Sequence, residues 1–238
     1  MSLDTTDTGF ESLRGTMLTE AGFDGLQEFS AFQPDFLVVE KAFTPECPEI
    51  IDKVGSHFNE AAPEEIRQVT DLVTFLGSIS RQGINHPLYV QGFWDEAQPG
   101  IEPHPDYKQG HTFLGMFDVE GSPELKLFTS RTSQPQVWRT GSRIISHGLN
   151  ISHEDPVAVP LLDNQLIIIN GRAVRASLHI GEKVTDGRAS LPHAVEVGQG
   201  DRRARLMVYA GAFKPVRHSY LPGTDLSFPV GYRPKSGL

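Results

Sequence analysis

The sequence predicts N-terminal helices followed by a mainly β body, and three observations lead to this fold class. Apolar residues recur at helical spacing before residue 83. After Gly83, short runs rich in β-branched and aromatic residues alternate with turn residues. The chain has 238 residues, of which 38% are hydrophobic, and this is enough to bury a core within one domain. We therefore expect a β-sandwich or β-barrel with helices preceding it.

The N-terminal region, residues 1–83, is predicted to contain a leader, a short strand and two helices. Residues 1–34 mix polar residues with isolated aromatics and are expected to form a loose leader, and the strand is expected at 36–39. The helices are expected at 48–59 and 63–80. In the second helix, Pro63 suits the first turn, and the two glutamates that follow it complement the helix dipole. This region is expected to pack on the β body.

The β body is predicted over residues 84–213 and a proline-rich C-terminal tail over 214–238, all within a single domain. Turn residues such as Asn170-Gly171 and Asp186-Gly187 separate the runs. Strands are expected at 88–93, 111–119, 125–129, 161–170, 174–180, 194–197 and 204–213.

Composition excludes several classes of function and location. The net charge is −9, and the first 65 residues carry 14 acidic and 3 basic side chains. Nucleic acids and anionic membranes require clustered basic residues, so neither is an expected partner. The first residues show no basic or apolar segment of the kind found in signal peptides, so none is expected, and no apolar run reaches membrane-spanning length. Its one cysteine, Cys47, permits no internal disulfide. We expect a cytoplasmic protein.

Histidine, aspartate and arginine on strand-like segments are the candidate functional residues. His104 and Asp106 are two residues apart, so on a strand they share a face and offer a nitrogen and an oxygen ligand. His193 adds a second imidazole. Two histidines and a carboxylate form the facial triad of non-haem Fe(II) oxygenases. Arg203 and Arg205 share a strand face, and an inward arginine there requires an anion. The alternation of side chains does not distinguish these two arginines.

Five segments in this order resemble the 2-oxoglutarate/Fe(II)-dependent dioxygenases of the isopenicillin-N-synthase-like branch. Gly-Ile-Glu-Pro-His-Pro-Asp at 100–106 resembles the His-x-Asp strand of that branch, and His-Thr-Phe-Leu-Gly-Met-Phe at 111–117 the apolar strand after it. The remaining three are similar to its Asn-x-Gly segment, its distal histidine segment and its Arg-x-Ser strand, and they lie at 165–174, 186–195 and 205–209. The resemblance covers about half of the chain and implies a double-stranded β-helix core (jelly-roll, cupin-like).

The resemblance also implies an activity and roles for residues. His104, Asp106 and His193 would bind Fe(II), and Arg205 would hold the far carboxylate of 2-oxoglutarate. Tyr89, with Gln91 on the same strand face, would contact this co-substrate. The implied enzyme is an oxidoreductase that uses O2 to hydroxylate, desaturate or cyclise a small molecule in specialised or amino-acid-derived metabolism. No sequence pattern sets the oligomeric state.

Three alternatives remain open at this point. Met207 stands where the Arg-x-Ser strand has its serine, which favours an iron oxidase of the same fold that needs no 2-oxoglutarate. A cupin-like protein that binds a small acid without catalysis is the second alternative. A competing ligand pair, His153 and Asp155, is the third, and it leaves too little sequence before His193 for the strands expected between the ligands.

Overall fold

The structure is a computed structural model, and it describes residues 10–56, 58–81, 88–96, 110–128, 133–140, 143–151, 156–180, 183–196, 198, 202–210, 219–220 and 227–228. The helices are α1 (Glu20–Phe32), α2 (Cys47–Ser56) and α3 (Pro63–Arg81), with 3-10 turns at Glu11–Leu13 and Phe58–Glu60. The strands are β1 (Phe36–Val39), β2 (Leu88–Glu96), β3 (Thr112–Glu120), β4 (Glu124–Leu127), β5 (Ser133–Thr140), β6 (Arg143–Ile151), β7 (Val157–Pro160), β8 (Gln165–Ile169), β9 (Val174–Ile180), β10 (Lys183–Ala189), β11 (His193–Glu196), β12 (Arg202–Ala210), β13 (Ser219–Tyr220) and β14 (Ser227–Phe228).

The described strands pair antiparallel throughout. A five-stranded sheet has the order β1-β8-β3-β12-β2, and a three-stranded sheet has the order β11-β4-β7. Three further pairs are β5 with β6, β9 with β10, and β13 with β14. The chain passes between the two larger sheets, because β3, β8 and β12 belong to one and β4, β7 and β11 to the other. The structure agrees with the prediction of N-terminal helices and a mainly β remainder, and it shows that the described sheets are antiparallel.

Strand β8 of the five-stranded sheet is buried on both faces. All five residues of β8, Gln-Leu-Ile-Ile-Ile, are buried. Leu166 and Ile168 belong to an apolar cluster with the helices, whereas Ile167 and Ile169 belong to a second cluster with the three-stranded sheet. A strand covered on both faces must be apolar at every position rather than at alternate ones. This explains the continuous apolar run that the sequence shows here.

The two apolar clusters define the layers of the molecule. The helix-side cluster joins α1, α2 and α3 to one face of the large sheet through Phe113, Phe117, Leu166 and Ile168. The second cluster, called the inter-sheet core from here on, joins the opposite face to the small sheet. Its buried members are Leu114, Met116, Leu125, Leu127, Val159, Leu161, Ile167, Ile169, Leu191 and Val195. The large sheet is therefore the middle layer between the helices and the small sheet.

The prediction of a loose leader was wrong for residues 20–32, which form α1. Thr19 caps the helix by accepting a hydrogen bond from the Gly22 amide at 3.1 Å. Leu26 and Phe29 are fully buried on its inner side. A Cβ on Gly22 would lie 2.0 Å from the Ala42 carbonyl oxygen, so this close approach requires glycine. The glycines lower the helix propensity of a segment that tertiary burial nevertheless makes helical.

Asn164 connects the helical region to the turn before β8. It adopts the left-handed conformation, with φ 58°. Its Oδ1 accepts a hydrogen bond from the Phe43 amide at 2.8 Å, and its Nδ2 donates to the Phe43 carbonyl at 2.9 Å. Its own carbonyl accepts from the Ala42 amide at 2.9 Å. Asparagine suits this position because it tolerates positive φ and because its side chain can pair with both the amide and the carbonyl of Phe43.

Several strand predictions were incomplete. The helices at 48–59 and 63–80, the strand at 36–39 and the strand at 174–180 were found within a few residues of their predicted ends. The hairpin of β5 and β6 was not predicted. Asp186-Gly187, predicted as a turn, lies within β10. Strand β7, which begins directly after Pro156, was also not predicted. The polar composition of β5, β6 and β10 gives too weak an alternation to indicate strands.

Candidate functional site

His193, the predicted distal ligand, begins β11 at an edge of the described three-stranded sheet. It stands opposite Leu127 of β4 and is 9% exposed. Its Nδ1 lies 3.1 Å from the carbonyl oxygen of Leu191. A carbonyl oxygen only accepts, so Nδ1 carries the hydrogen, and in the neutral ring the lone pair is then on Nε2. This is the arrangement in which metal-binding histidines are commonly held by a backbone carbonyl.

The rest of the predicted triad lies outside the described residues. His104 and Asp106 fall between β2, which ends at Glu96, and Gly110, where the described chain resumes. His153 and Asp155 of the competing pair also lie outside it. Among the described residues alone, no group of three His, Cys, Asp or Glu side chains is positioned to hold a metal ion. Of the three predicted ligands, the structure therefore describes His193.

The register of β12 distinguishes the two candidate arginines. Position 205 pairs with Phe93 of β2 and with Met116 of β3, in the regular part of both ladders. Met116 is fully buried and belongs to the inter-sheet core. Position 203 pairs with Asp95 but falls at a β-bulge, where the β3 partners advance from Phe117 to Glu120. Directly opposed residues share a sheet face, so position 205 is on the face that covers the inter-sheet core.

Tyr89 and Gln91, the two residues of β2 that are predicted to contact the co-substrate, both lie opposite residues of β12. Position 91 pairs with Met207, and position 89 pairs with Tyr209. Tyr209 pairs on its other side with Thr112 of β3. Three hydroxyl-bearing residues, Tyr89, Tyr209 and Thr112, therefore form one row across three adjacent strands. The predicted sharing of a face by positions 89 and 91 agrees with this register.

Thr112, which the sequence pattern did not single out, has a buried side chain. It is 2% exposed at the start of β3, and its Oγ1 has no hydrogen-bond partner among the described residues. In the sequence it stands in an apolar run, where threonine is simply a good β-former. Only the pairing of β3 with β12 brings it into the row of Tyr209.

A buried junction lies at the start of β3, where the described chain resumes after the segment that contains His104 and Asp106. The Gly171 amide donates to His111 Nδ1 at 3.2 Å, and the His111 ring packs edge-on against Phe29 at 5.0 Å. Asn170 donates from Nδ2 to the carbonyls of residues 33 and 34 at 3.1 and 3.2 Å. His111 is buried, and its contacts give it a structural role. We call this the His111–Gly171 junction.

His111 is held neutral by its surroundings. Its pKa is lowered to about 4, chiefly by burial and also by the positive charge of Arg172, while a hydrogen bond with Asn170 acts in the opposite direction. A neutral imidazole is required because Nδ1 accepts the Gly171 amide hydrogen. The junction is therefore built around an uncharged histidine.

Acid is expected to destabilise the fold through His111. Above about pH 6.5 the ring is neutral in the folded and unfolded states, and it contributes no pH dependence. Between about pH 6.5 and 4 the unfolded state takes up a proton that the folded state does not, so stability falls by up to about 3 kcal/mol. Below about pH 4 this contribution is constant. Urea unfolding at a series of pH values measures the effect.

His111→Gln is the matched control for this experiment. Glutamine offers an oxygen to the Gly171 amide and does not titrate. Subtracting the free energy of unfolding of His111→Gln from that of the wild type at each pH removes the contribution of the carboxylates, which also titrate at acid pH. Parallel stability curves for the wild type and His111→Gln over pH 4–6.5 would contradict the assignment.

Other ionisable groups near the helices have structural roles. Arg14 makes ion pairs with Glu20 at 2.9 Å, Glu11 at 3.4 Å and Asp24 at 3.8 Å, and it lies over the Phe23 ring at 4.4 Å. These exposed pairs are worth little individually. Burial raises the pKa of the Cys47 thiol, which is therefore unreactive.

Comparisons with known proteins do not assign a family. No family model matches the chain, and no curated protein matches it. One solved structure, from a study of Bacillus endospore appendages that form disulfide-linked pili, is 9% identical, covering 54% of this chain and 92% of that one with a TM-score of 0.18. Backbones that superpose so poorly carry no argument about fold or function. Within the described part of the chain, no helix is long and apolar enough to cross a membrane.

Proposed function

We propose that this protein is a non-haem Fe(II) oxygenase that uses 2-oxoglutarate and O2 to oxidise a small molecule. The observation that carries the proposal is the setting of His193: a buried imidazole at a sheet edge, with Nδ1 hydrogen-bonded to the Leu191 carbonyl. In this proposal that bond holds the ring so that Nε2 would be the coordinating nitrogen. This part of the donor set therefore fits a divalent iron ion. The cytoplasm is the proposed compartment, since the single Cys47 allows no internal disulfide.

The path of the chain supports a double-stranded β-helix core for this enzyme. After β3 in the large sheet the chain enters the small sheet as β4 and β7, returns as β8, enters it again as β11 and returns as β12. Jelly-roll folds are built from two antiparallel sheets connected by repeated crossings of this kind. An apolar core lies between the two sheets, as such a fold requires.

In this proposal His104 and Asp106 complete the donor set with His193. Two imidazoles and one carboxylate leave coordination positions open for a co-substrate and O2. Bound iron would supply O2 activation coupled to oxidative decarboxylation of the keto-acid. The protein orients the reactants and excludes water: Leu191 holds the His193 ring, the inter-sheet core is apolar, and Arg205 pairs with the far carboxylate in fork geometry.

An anaerobic titration tests the proposal. Apo-protein receives Fe(II) and then 2-oxoglutarate, and the visible metal-to-ligand charge-transfer band is followed. A band that saturates at one equivalent supports chelation of the keto-acid at the iron. Iron binding without a band favours the oxidase that takes no 2-oxoglutarate, for which Met207 at the serine position is the supporting observation. Absence of iron binding favours the cupin-like binding protein.

Two arginine variants sharpen this experiment. Arg205→Ala is expected to weaken 2-oxoglutarate binding about 10- to 100-fold, because a charged hydrogen-bond partner of the carboxylate is lost, while Fe(II) still binds. Arg203→Ala is the matched control, because position 203 lies at the bulge on the same strand. Equal effects of the two substitutions would contradict the role given to Arg205.

A further inference from the structure

The hydroxyl of Thr112 is buried without a hydrogen-bond partner among the described residues. Thr112 is 2% exposed, so water does not reach the residue freely. A buried hydroxyl without a partner is energetically unfavourable, and folded proteins normally pair such groups. Valine has the same shape and avoids this cost. The presence of threonine here therefore needs an explanation other than packing.

The register places Thr112 on the same sheet face as position 205, four residues along β3 from Met116, the partner of position 205. Thr112 pairs with Ile169 of β8 on one side and with Tyr209 of β12 on the other. Ile169 belongs to the inter-sheet core, and so does Leu114, two residues after Thr112 on the same strand face. Positions 205 and 207 of β12 share this face through their pairing with Met116 and Leu114. An unpaired hydroxyl thus occurs on the face that carries the proposed arginine.

We infer that the Thr112 hydroxyl donates a hydrogen bond to a carboxylate of the bound 2-oxo acid, an inference that rests on the proposed function. Met207 stands two residues after Arg205 and its thioether donates no hydrogen bond. Thr112 lies one row further along the same face, opposite Tyr209. A hydroxyl bonded to a carboxylate oxygen forms a short, strong, charge-assisted bond. Thr112 thereby takes the place of the serine that β12 lacks.

This role predicts opposite effects of one substitution on the empty and the loaded protein. In the empty protein, Thr112→Val replaces an unpaired hydroxyl by a methyl group of similar size, which is expected to leave stability unchanged or to raise it. In the loaded protein the same change removes a ligand contact. If Thr112 had only a structural role, Thr112→Val would instead lower the stability of the empty protein.

The experiment compares wild type, Thr112→Val and Thr112→Ser in three measurements. These are the melting temperature of the apo-protein, the affinity for Fe(II) alone, and the affinity of the Fe(II)-loaded protein for 2-oxoglutarate under anaerobic conditions. We expect Thr112→Val to bind 2-oxoglutarate about 10- to 100-fold more weakly, with an equal or higher apo melting temperature and unchanged Fe(II) affinity. Thr112→Ser keeps the hydroxyl and is expected to bind 2-oxoglutarate to within a few-fold of wild type.

The outcomes separate failure of this inference from failure of the proposed function. If the wild type and Thr112→Val bind 2-oxoglutarate equally well, the inference is overturned and the proposed function is retained. A lower apo melting temperature for Thr112→Val would likewise overturn it, because the hydroxyl would then have a partner within the protein. If the wild type binds Fe(II) but no 2-oxoglutarate, both the inference and the use of this co-substrate are overturned.

Discussion

Alanine at position 171 is expected to destabilise the protein by about 3 kcal/mol or more, because the added Cβ overlaps a backbone carbonyl. A Cβ built on Gly171 lies 1.8 Å from the Gly110 oxygen and 2.5 Å from its carbonyl carbon. Both atoms are main-chain atoms, so no side-chain rotation relieves the overlap. Either the turn after β8 or the start of β3 must move, and the movement also strains the bond from the Gly171 amide to His111 Nδ1.

Gly15→Ala is the control for this prediction. Gly15 has φ +76°, and nothing lies within 4 Å of a Cβ built there, so alanine meets strain of the backbone but no overlap. The expected cost is about 1 kcal/mol. Urea unfolding of both variants gives the comparison. A free energy of unfolding for Gly171→Ala that is no lower than that of Gly15→Ala would show that the Gly110–Gly171 contact is looser than the structure has it.

Gly171→Ala also tests how the His111–Gly171 junction is connected to the proposed iron site. Gly110 is the first described residue after the segment that contains His104 and Asp106. A displaced Gly110 is therefore expected to weaken Fe(II) binding as well as stability. Measuring Fe(II) affinity at a low temperature, where the variant remains folded, separates the two effects.

The sequence predicted the parts of the fold in which local pattern and tertiary burial agree. The apolar face of α3 was visible because Val69, Val73 and Leu76 recur at helical spacing, and all three are buried. β8 was visible as an unbroken apolar run. α1 was not visible, because Gly22 and Gly25 lower its helix propensity, and the reason for them, close approach to Ala42 and Val39, exists only in the folded chain.

The candidate site shows the same division. His193 was identified through a sequence resemblance, but the bond from its ring to Leu191 is a feature of the fold. Arg203 and Arg205 have the same parity, so only the bulge between β3 and β12 distinguishes them. Thr112 gave no signal, because the absence of a hydrogen-bond partner is a property of three-dimensional surroundings. The pairing of residues between strands that are distant in the sequence is therefore what could not be predicted from the sequence alone.

Removal of the His193 imidazole is expected to weaken Fe(II) binding by more than about 100-fold. Loss of a group that merely supports a metal ligand typically costs 10- to 100-fold in affinity, and loss of the ligand itself should cost more. The described hydrogen bond of the ring joins it to a carbonyl two residues away in the same segment. Isothermal titration with Fe(II) under anaerobic conditions measures the affinity of His193→Ala, and circular dichroism verifies its fold.

Val195→Ala is the matched control. Rescue of Fe(II) binding by added imidazole is a second test. Val195 lies two residues further along β11, is buried to a similar degree and belongs to the inter-sheet core, so its truncation costs about 2 kcal/mol of stability but removes no ligand. It should bind Fe(II) as the wild type does. Free imidazole can fill the space left in His193→Ala and coordinate the metal, so it should restore binding there and have no effect on Val195→Ala. Full Fe(II) affinity in His193→Ala without imidazole would remove His193 from the metal site, and the proposed oxygenase would lose the observation on which it rests.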